Sequence, residues 1–114
     1  MTDKLSITDL DQKASDTAVQ VFIEFYLNHY RDGSLDILAQ YPVDHYVAEI
    51  NQFIFENNAY QPEQMQALLL ADLKQYFIDI IAAVNPGYQQ NGALANGDWE
   101  KWYQETAANL QTGQ

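Results

Sequence analysis

The 114-residue chain is predicted to be an all-α protein, an irregular bundle of four to five helices with a long loop before the last helix. Two observations predict this class, and a third excludes covalent and metal cross-links. Apolar residues recur every three or four positions in four long segments. Prolines and glycines stand at the ends of these segments or between them. Cysteine is absent, so neither disulfides nor zinc–thiolate clusters hold the chain together.

Length and composition favour one helical domain over residues 1–114. Hydrophobic residues make up 47% of the chain and aromatic residues 13%, which is enough for a core and excludes the disordered class. Residues 1–7 and 112–114 are expected to be flexible. Neither a signal-peptide pattern nor an apolar stretch of bilayer-spanning length is present, so we expect a cytoplasmic protein.

The first helix is predicted over residues 9–31, with Ser6 or Thr8 capping its start and Gly33 ending it. Residues 19–27 are also rich in β-branched and aromatic side chains, so a buried strand, and with it an α+β fold, is the competing interpretation. The helix is favoured because its apolar period extends upstream of these residues. One face carries Leu10, Ala14, Ala18, Phe22 (or Val21), Phe25 and His29.

A short helix is predicted over residues 35–41, where Pro42 restricts the preceding residue. The next helix, predicted over 43–57, is amphipathic, with its apolar side chains on one side and most of its carboxylates off it. Asn57 and Asn58 mark its end.

The third long helix is predicted over residues 62–84, with Pro62 in its first turn, and its broad apolar girth is typical of a central helix. Residues 85–97 show no period, and long loops of this kind are often functional or mobile. Asp98 is expected to cap a last helix over 98–111. The side chains expected in the core are Phe22, Phe25, Val47, Ile50, Leu69, Leu73, Ile80 and Trp102.

Charge is the main functional clue. Sixteen acidic residues stand against five basic ones, a formal net charge of -11 with the histidines neutral. A field of this sign repels nucleic acid and anionic membrane, and it attracts basic protein surfaces. We therefore expect no direct contact with nucleic acid or membrane.

Some of the carboxylates are spaced seven residues apart, which on a helix places them on nearly the same side. Rows of this kind resemble duplex phosphates and would suit a basic groove. The alternative interpretation is a solvated helix face, whose own period produces the same spacing. The pairs are Asp9 and Asp16, Glu49 and Glu56, and Asp72 and Asp79.

Three aromatic residues, Tyr60, Tyr88 and Trp99, lie in or beside predicted loops, where a place in the core is least expected. Tyrosine and tryptophan are favoured as interface anchors because a large apolar body carries a polar tip. We therefore consider them as partner-binding residues. The alternative is that such aromatics close the ends of the bundle.

Catalytic and metal-binding patterns are weak. His45 and Glu49 lie four residues apart, but the Glu-x-x-His motif of di-iron bundles does not occur. His29, Asp32 and Asp36 have no recognisable ligand spacing. No nucleophile elbow and no phosphate-binding loop is present. We expect no enzymatic activity, no cofactor and no bound metal.

The expected function is a small acidic module that docks on a basic partner protein. Inhibition of a nuclease or another nucleic-acid-binding enzyme, in the manner of a DNA mimic or an immunity protein, is its narrower form. The first alternative is a homo-oligomeric assembly or scaffold subunit with no inhibitory role, such as a homodimer, whose surplus apolar girth on the first and third helices forms the interface. The second is a metal-dependent enzyme that uses His29 and His45.

Overall fold

The computed structural model describes residues 5–32, 38, 41–95 and 97–112, with side chains described as far as residue 108 except that of residue 32. A 3-10 turn and four helices follow one another along the chain, and no β-strand occurs within these residues. The all-α class is therefore confirmed, with a loop before the last helix. The elements are the turn Ile7–Asp9, α1 (Gln12–Asp32), α2 (Asp44–Glu56), α3 (Pro62–Val84) and α4 (Trp99–Thr112).

The competing strand over residues 19–27 is excluded, because these residues lie in the middle of α1. Most of the short helix predicted over 35–41 lies outside the described residues. Leu38, which is described, is buried. No helix within the described residues is both long and apolar enough to cross a membrane.

Two successive caps explain why α1 begins three residues later than predicted. The Ser6 N–H donates a hydrogen bond to Asp9 Oδ2 at 3.0 Å, which closes the 3-10 turn. The Ala14 N–H then donates to Asp11 Oδ1 at 2.8 Å, so Asp11 caps α1 itself. The predicted capping residue Ser6 therefore starts the turn and not the long helix.

Helices α1 and α3 together form the centre of the bundle: they pack on each other and both contact the 3-10 turn, while α4 packs on α1 and α2 on α3. An ion pair between Asp16 and Lys74 joins the early part of α1 to the later half of α3. The Tyr26 hydroxyl donates a 2.6 Å hydrogen bond to Asn51 Oδ1 and ties α1 to α2.

The core holds most of the side chains predicted for it. Phe22, Phe25, Ile50, Leu69 and Ile80 are buried, whereas Val47, Leu73 and Trp102 are only partly buried and pack against the core. Burying each large apolar side chain contributes about 1.5–3 kcal/mol. A second apolar stripe runs along α1 through Val19, Ile23, Tyr26 and Tyr30; the first three are fully buried, and Tyr30 is partly buried against the core.

The described residues between α3 and α4 form a loop that folds back over α1. Tyr88 exchanges backbone hydrogen bonds with Leu5, at 2.8 and 3.0 Å, and also forms a bridge with Leu94. Gly92 lies against the α1 backbone so closely that an added Cβ would stand 2.4 Å from the Ala14 carbonyl oxygen. Within residues 1–7, where flexibility is expected, Leu5 is paired with Tyr88 and Ile7 is buried.

Candidate functional site, an acidic groove between two helices

A groove of about 560 Å³ lies between α1 and α3, within the size range of pockets that hold ligands. Apolar side chains from both helices line it, together with one glutamine and one glutamate from each helix. The lining residues are Gln20, Val21, Ile23 and Glu24 from α1, and Glu63, Gln66, Ala67, Leu70 and Ala71 from α3. We call this surface the α1/α3 groove.

The groove exists because α3 places small side chains where it passes α1. Ala67 and Ala71 lie one helical turn apart on the same side of α3, and both line the groove. Val21 stands on the α1 wall and is 48% exposed, one of few large apolar side chains with that much exposure among the described residues. This site is not predicted from the sequence, where two alanines at helical spacing in a broadly apolar helix are the available signal.

The charge of the groove has one sign. Glu24 on α1 and Glu63 at the start of α3 are both exposed, and none of the lining residues is basic. Glu63 also lies in the first turn of α3, where the helix dipole favours a negative charge. An apolar floor between two carboxylates suits a ligand that carries apolar and cationic groups together.

Few of the described carboxylates form ion pairs. Among the described side chains, only Asp16 and Glu100 lie within ion-pair distance of a basic group, which is Lys74 for the first and His29 for the second. The remaining described carboxylates have no basic side chain of the described residues within that distance. Within this part of the chain, most of the acidic surface is therefore not neutralised by ion pairs.

The predicted carboxylate rows are only partly present. Asp9 lies in the 3-10 turn and Asp16 in α1, so the two do not share a helix, and Asp16 is paired with Lys74. Asp72 and Asp79 lie on either side of Leu73, whose backbone departs from helical angles (φ −123°, ψ 18°). The seven-residue spacing therefore does not set their relative direction.

Glu49 and Glu56 remain as a pair on one uninterrupted helix, α2, and both are exposed. Glu56 accepts a 2.8 Å hydrogen bond from Gln52 on the same helix. Neither residue lines the α1/α3 groove. They form a separate acidic face that carries the same charge as Glu24 and Glu63 of the groove.

The predicted surface location is wrong for two of the three aromatic residues considered as partner-binding anchors, Tyr88 and Trp99. Tyr88 is 1% exposed and Trp99 is 2% exposed, because the loop before α4 folds onto α1 and brings both side chains into the core. The Trp99 ring lies 4.7 Å from that of Phe22 and 5.5 Å from that of Phe25, centroid to centroid. Tyr60, in the turn before α3, is exposed as expected.

The two histidines occupy different environments. His29 is buried between the rings of Phe25 and Tyr103, each 4.4 Å away, and its Nε2 lies 3.0 Å from Glu100 Oε2. It therefore helps to fasten α4 to α1. His45 is exposed near the ring of Tyr76.

Metal ligands do not converge in the part of the chain that the structure describes, where no group of three or more such side chains comes together. The cluster of His29, Asp32 and Asp36 lies partly outside the described residues. No protein-family model, curated protein or solved structure matches the chain at a significant level. The geometry and charge of the surface are therefore the basis for a functional proposal.

Proposed function

We propose that this protein is an acidic protein-binding module that docks a basic segment of a partner protein in the α1/α3 groove. The observation that carries the proposal is the groove itself, an apolar floor with Glu24 on one helix and Glu63 on the other. The partner's apolar side chains contact Val21, Ala67 and Leu70, and its Lys or Arg side chains meet the two carboxylates.

The net charge of the molecule supports the same function. Charges of opposite sign speed the encounter of two proteins, and this effect falls as salt screens the field. Binding strength then comes from apolar contacts in the groove, where water is displaced. Nucleic-acid-binding enzymes carry basic surfaces, so inhibition of a nuclease or related enzyme is the narrower proposal. A cytoplasmic location stays a prediction, which cell fractionation tests.

Affinity capture from the native lysate tests the proposal. The double variant Glu24→Gln/Glu63→Gln removes two charges from the groove. The control Glu49→Gln/Glu56→Gln removes two charges from the exposed face of α2. We expect the wild type and the control to retain a basic partner at low salt and to release it at high salt, and the groove variant to retain at least several-fold less.

Equal capture by all three proteins, or a partner that is not basic, contradicts the proposal. A partner lost equally from both double variants shows that the total charge matters and the groove does not. The variant Ala67→Phe fills the groove without changing charge, and we expect it to release the partner as well.

The homo-oligomer alternative has one structural observation in its favour. Phe55, near the end of α2, is 67% exposed, which is unusual for so large an apolar side chain. The broad apolar surface of α1 does not support a homo-oligomer, because Val19, Ile23 and Tyr26 are buried in the core of the single chain. Light scattering over a range of protein concentrations distinguishes a monomer from a dimer, and Phe55→Ser should dissociate a dimer formed through this residue.

A further inference from the structure

A second, smaller cavity lies between α1 and the loop that precedes α4. Its volume is about 270 Å³, and Thr17, Ala18 and Val21 of α1 form one wall. The loop forms the other side through Gly92 and Leu94, and the start of α4 contributes Trp99. Most of its lining is apolar. We call it the loop pocket.

Two buried polar atoms belong to residues in the wall of this pocket. The Tyr88 hydroxyl and the Trp99 indole Nε1 are out of contact with solvent, and neither has a hydrogen-bond partner within the described part of the chain. Buried polar groups are nearly always paired, and each exception calls for a reason. Two exceptions in the wall of one pocket point to a molecule that completes these hydrogen bonds.

The chemistry of the two atoms limits the ligand. Indole Nε1–H only donates a hydrogen bond, whereas a tyrosine hydroxyl donates or accepts. An acceptor oxygen suits either atom. An apolar cavity of about 150 Å³ takes up benzene, so about 270 Å³ accommodates one ring with a short substituent.

We propose that the loop pocket binds a small, mainly apolar molecule whose carbonyl oxygen accepts a hydrogen bond from the Trp99 indole N–H, with the Tyr88 hydroxyl as a second donor among the lining residues. Because neither atom reaches solvent, the pocket wall adjusts around the ligand as it enters. The proposal is independent of the function proposed above. Val21 lies on both surfaces, but the two walls otherwise come from different parts of the chain.

Nuclear magnetic resonance gives a direct readout at one of the two atoms. The chain contains two tryptophans, and the variant Trp102→Phe identifies the indole N–H signal of Trp99 by elimination. Acetophenone is the probe, and ethylbenzene is the matched compound without an oxygen. We expect acetophenone to shift the Trp99 signal saturably downfield, with an affinity roughly threefold to tenfold higher than that of ethylbenzene.

Filling the pocket provides the control. Ala93 lines the loop pocket and is exposed, so Ala93→Phe should abolish the shift, and Thr17→Phe is a second blocking variant on α1. Ala67→Phe fills only the α1/α3 groove and should leave the shift unchanged. An unshifted signal at the solubility limit of acetophenone overturns the proposal, as does equal affinity for the two compounds or a shift that survives both blocking variants. Each of these results would mean that the pocket does not bind a carbonyl compound through the Trp99 indole N–H.

Discussion

At the scale of single residues, the two buried tyrosines Tyr26 and Tyr88 have the same side chain in contrasting hydrogen-bonding environments. The Tyr26 hydroxyl donates to Asn51 at 2.6 Å, and the Tyr88 hydroxyl has no partner among the described residues. A satisfied buried hydroxyl stabilises the fold modestly, whereas an unpaired one is destabilising. The contribution of a tyrosine hydroxyl to stability therefore depends on its partner more than on its burial.

We expect Tyr26→Phe to lower the free energy of unfolding by about 1 kcal/mol, because it removes a hydrogen bond that links α1 to α2. Tyr88→Phe is its matched control and should leave stability unchanged or raise it. Urea unfolding of the ligand-free proteins measures both. A large loss of stability in Tyr88→Phe would show that its hydroxyl is satisfied in the folded protein.

Burial raises the pKa of both hydroxyls above the ordinary value of 10.0, and the nearby Tyr30 adds to this effect at Tyr26. The folded state therefore binds more protons than the unfolded state above pH 10. Titration of these two groups therefore does not lower stability below pH 10, and stability falls as the pH rises above it, because ionisation is more favourable in the unfolded chain. Urea midpoints on both sides of pH 10 should fall more steeply for the wild type than for Tyr26→Phe/Tyr88→Phe, and parallel curves would contradict this assignment.

At the scale of elements, the loop before α4 depends on one close backbone approach. Gly92 has φ +92°, and a Cβ there would stand 2.4 Å from the Ala14 carbonyl oxygen. Gly97 also has a positive φ, +119°, but its nearest neighbour is the flexible Lys101 side chain at 3.0 Å. The same substitution thus meets rigid backbone at one position and a movable side chain at the other.

We expect Gly92→Ala to destabilise the protein by about 2 kcal/mol or more, since strain and collision add. Gly97→Ala should cost about 1 kcal/mol, from its backbone conformation alone. Thermal unfolding of the two variants compares them directly. Equal losses would show that the loop does not rest on α1 as described.

The start of α4 depends on its cap. Asp98 Oδ1 accepts a 2.8 Å hydrogen bond from the Lys101 N–H. Asp98→Ala should therefore cost about 1 kcal/mol, and Asp98→Asn, which keeps an acceptor, clearly less. Denaturant unfolding of the pair gives the answer, and identical losses would mean that the cap contributes through its charge and not through its hydrogen bond.

Helices were more predictable than the contacts of the loop. Apolar periodicity, a proline in the first turn of α3 and the capping residue Asp98 are local signals. Helices α3 and α4 therefore begin within one residue of their predicted starts. The burial of Tyr88 was not predictable in this way, because it arises when residue 88 pairs with Leu5, far away in the sequence. The α1/α3 groove was missed for the same reason, since only the packing of two helices shows which small side chains face an open space.

At the scale of the whole molecule, charge and shape act together. The net charge is -11, and most carboxylates of the described residues have no basic neighbour among those residues. The net charge alone therefore attracts basic proteins without directing them to one site. The groove adds a place where this attraction meets exposed apolar surface. The paired carboxylates Glu49 and Glu56 carry equal charge but do not line that groove, which makes the location of binding a testable property.

Mapping the bound partner by methyl chemical shifts tests this claim most directly. The protein recovered by affinity capture is added to isotope-labelled wild type, and the methyl signals of Val21, Ala67 and Leu70 are followed at low salt. We predict that these three signals shift or broaden first and recover when salt is raised, while Ala48 on α2 is unaffected. Changes centred on α2 or on Phe55, with the groove methyls unmoved, would contradict the account.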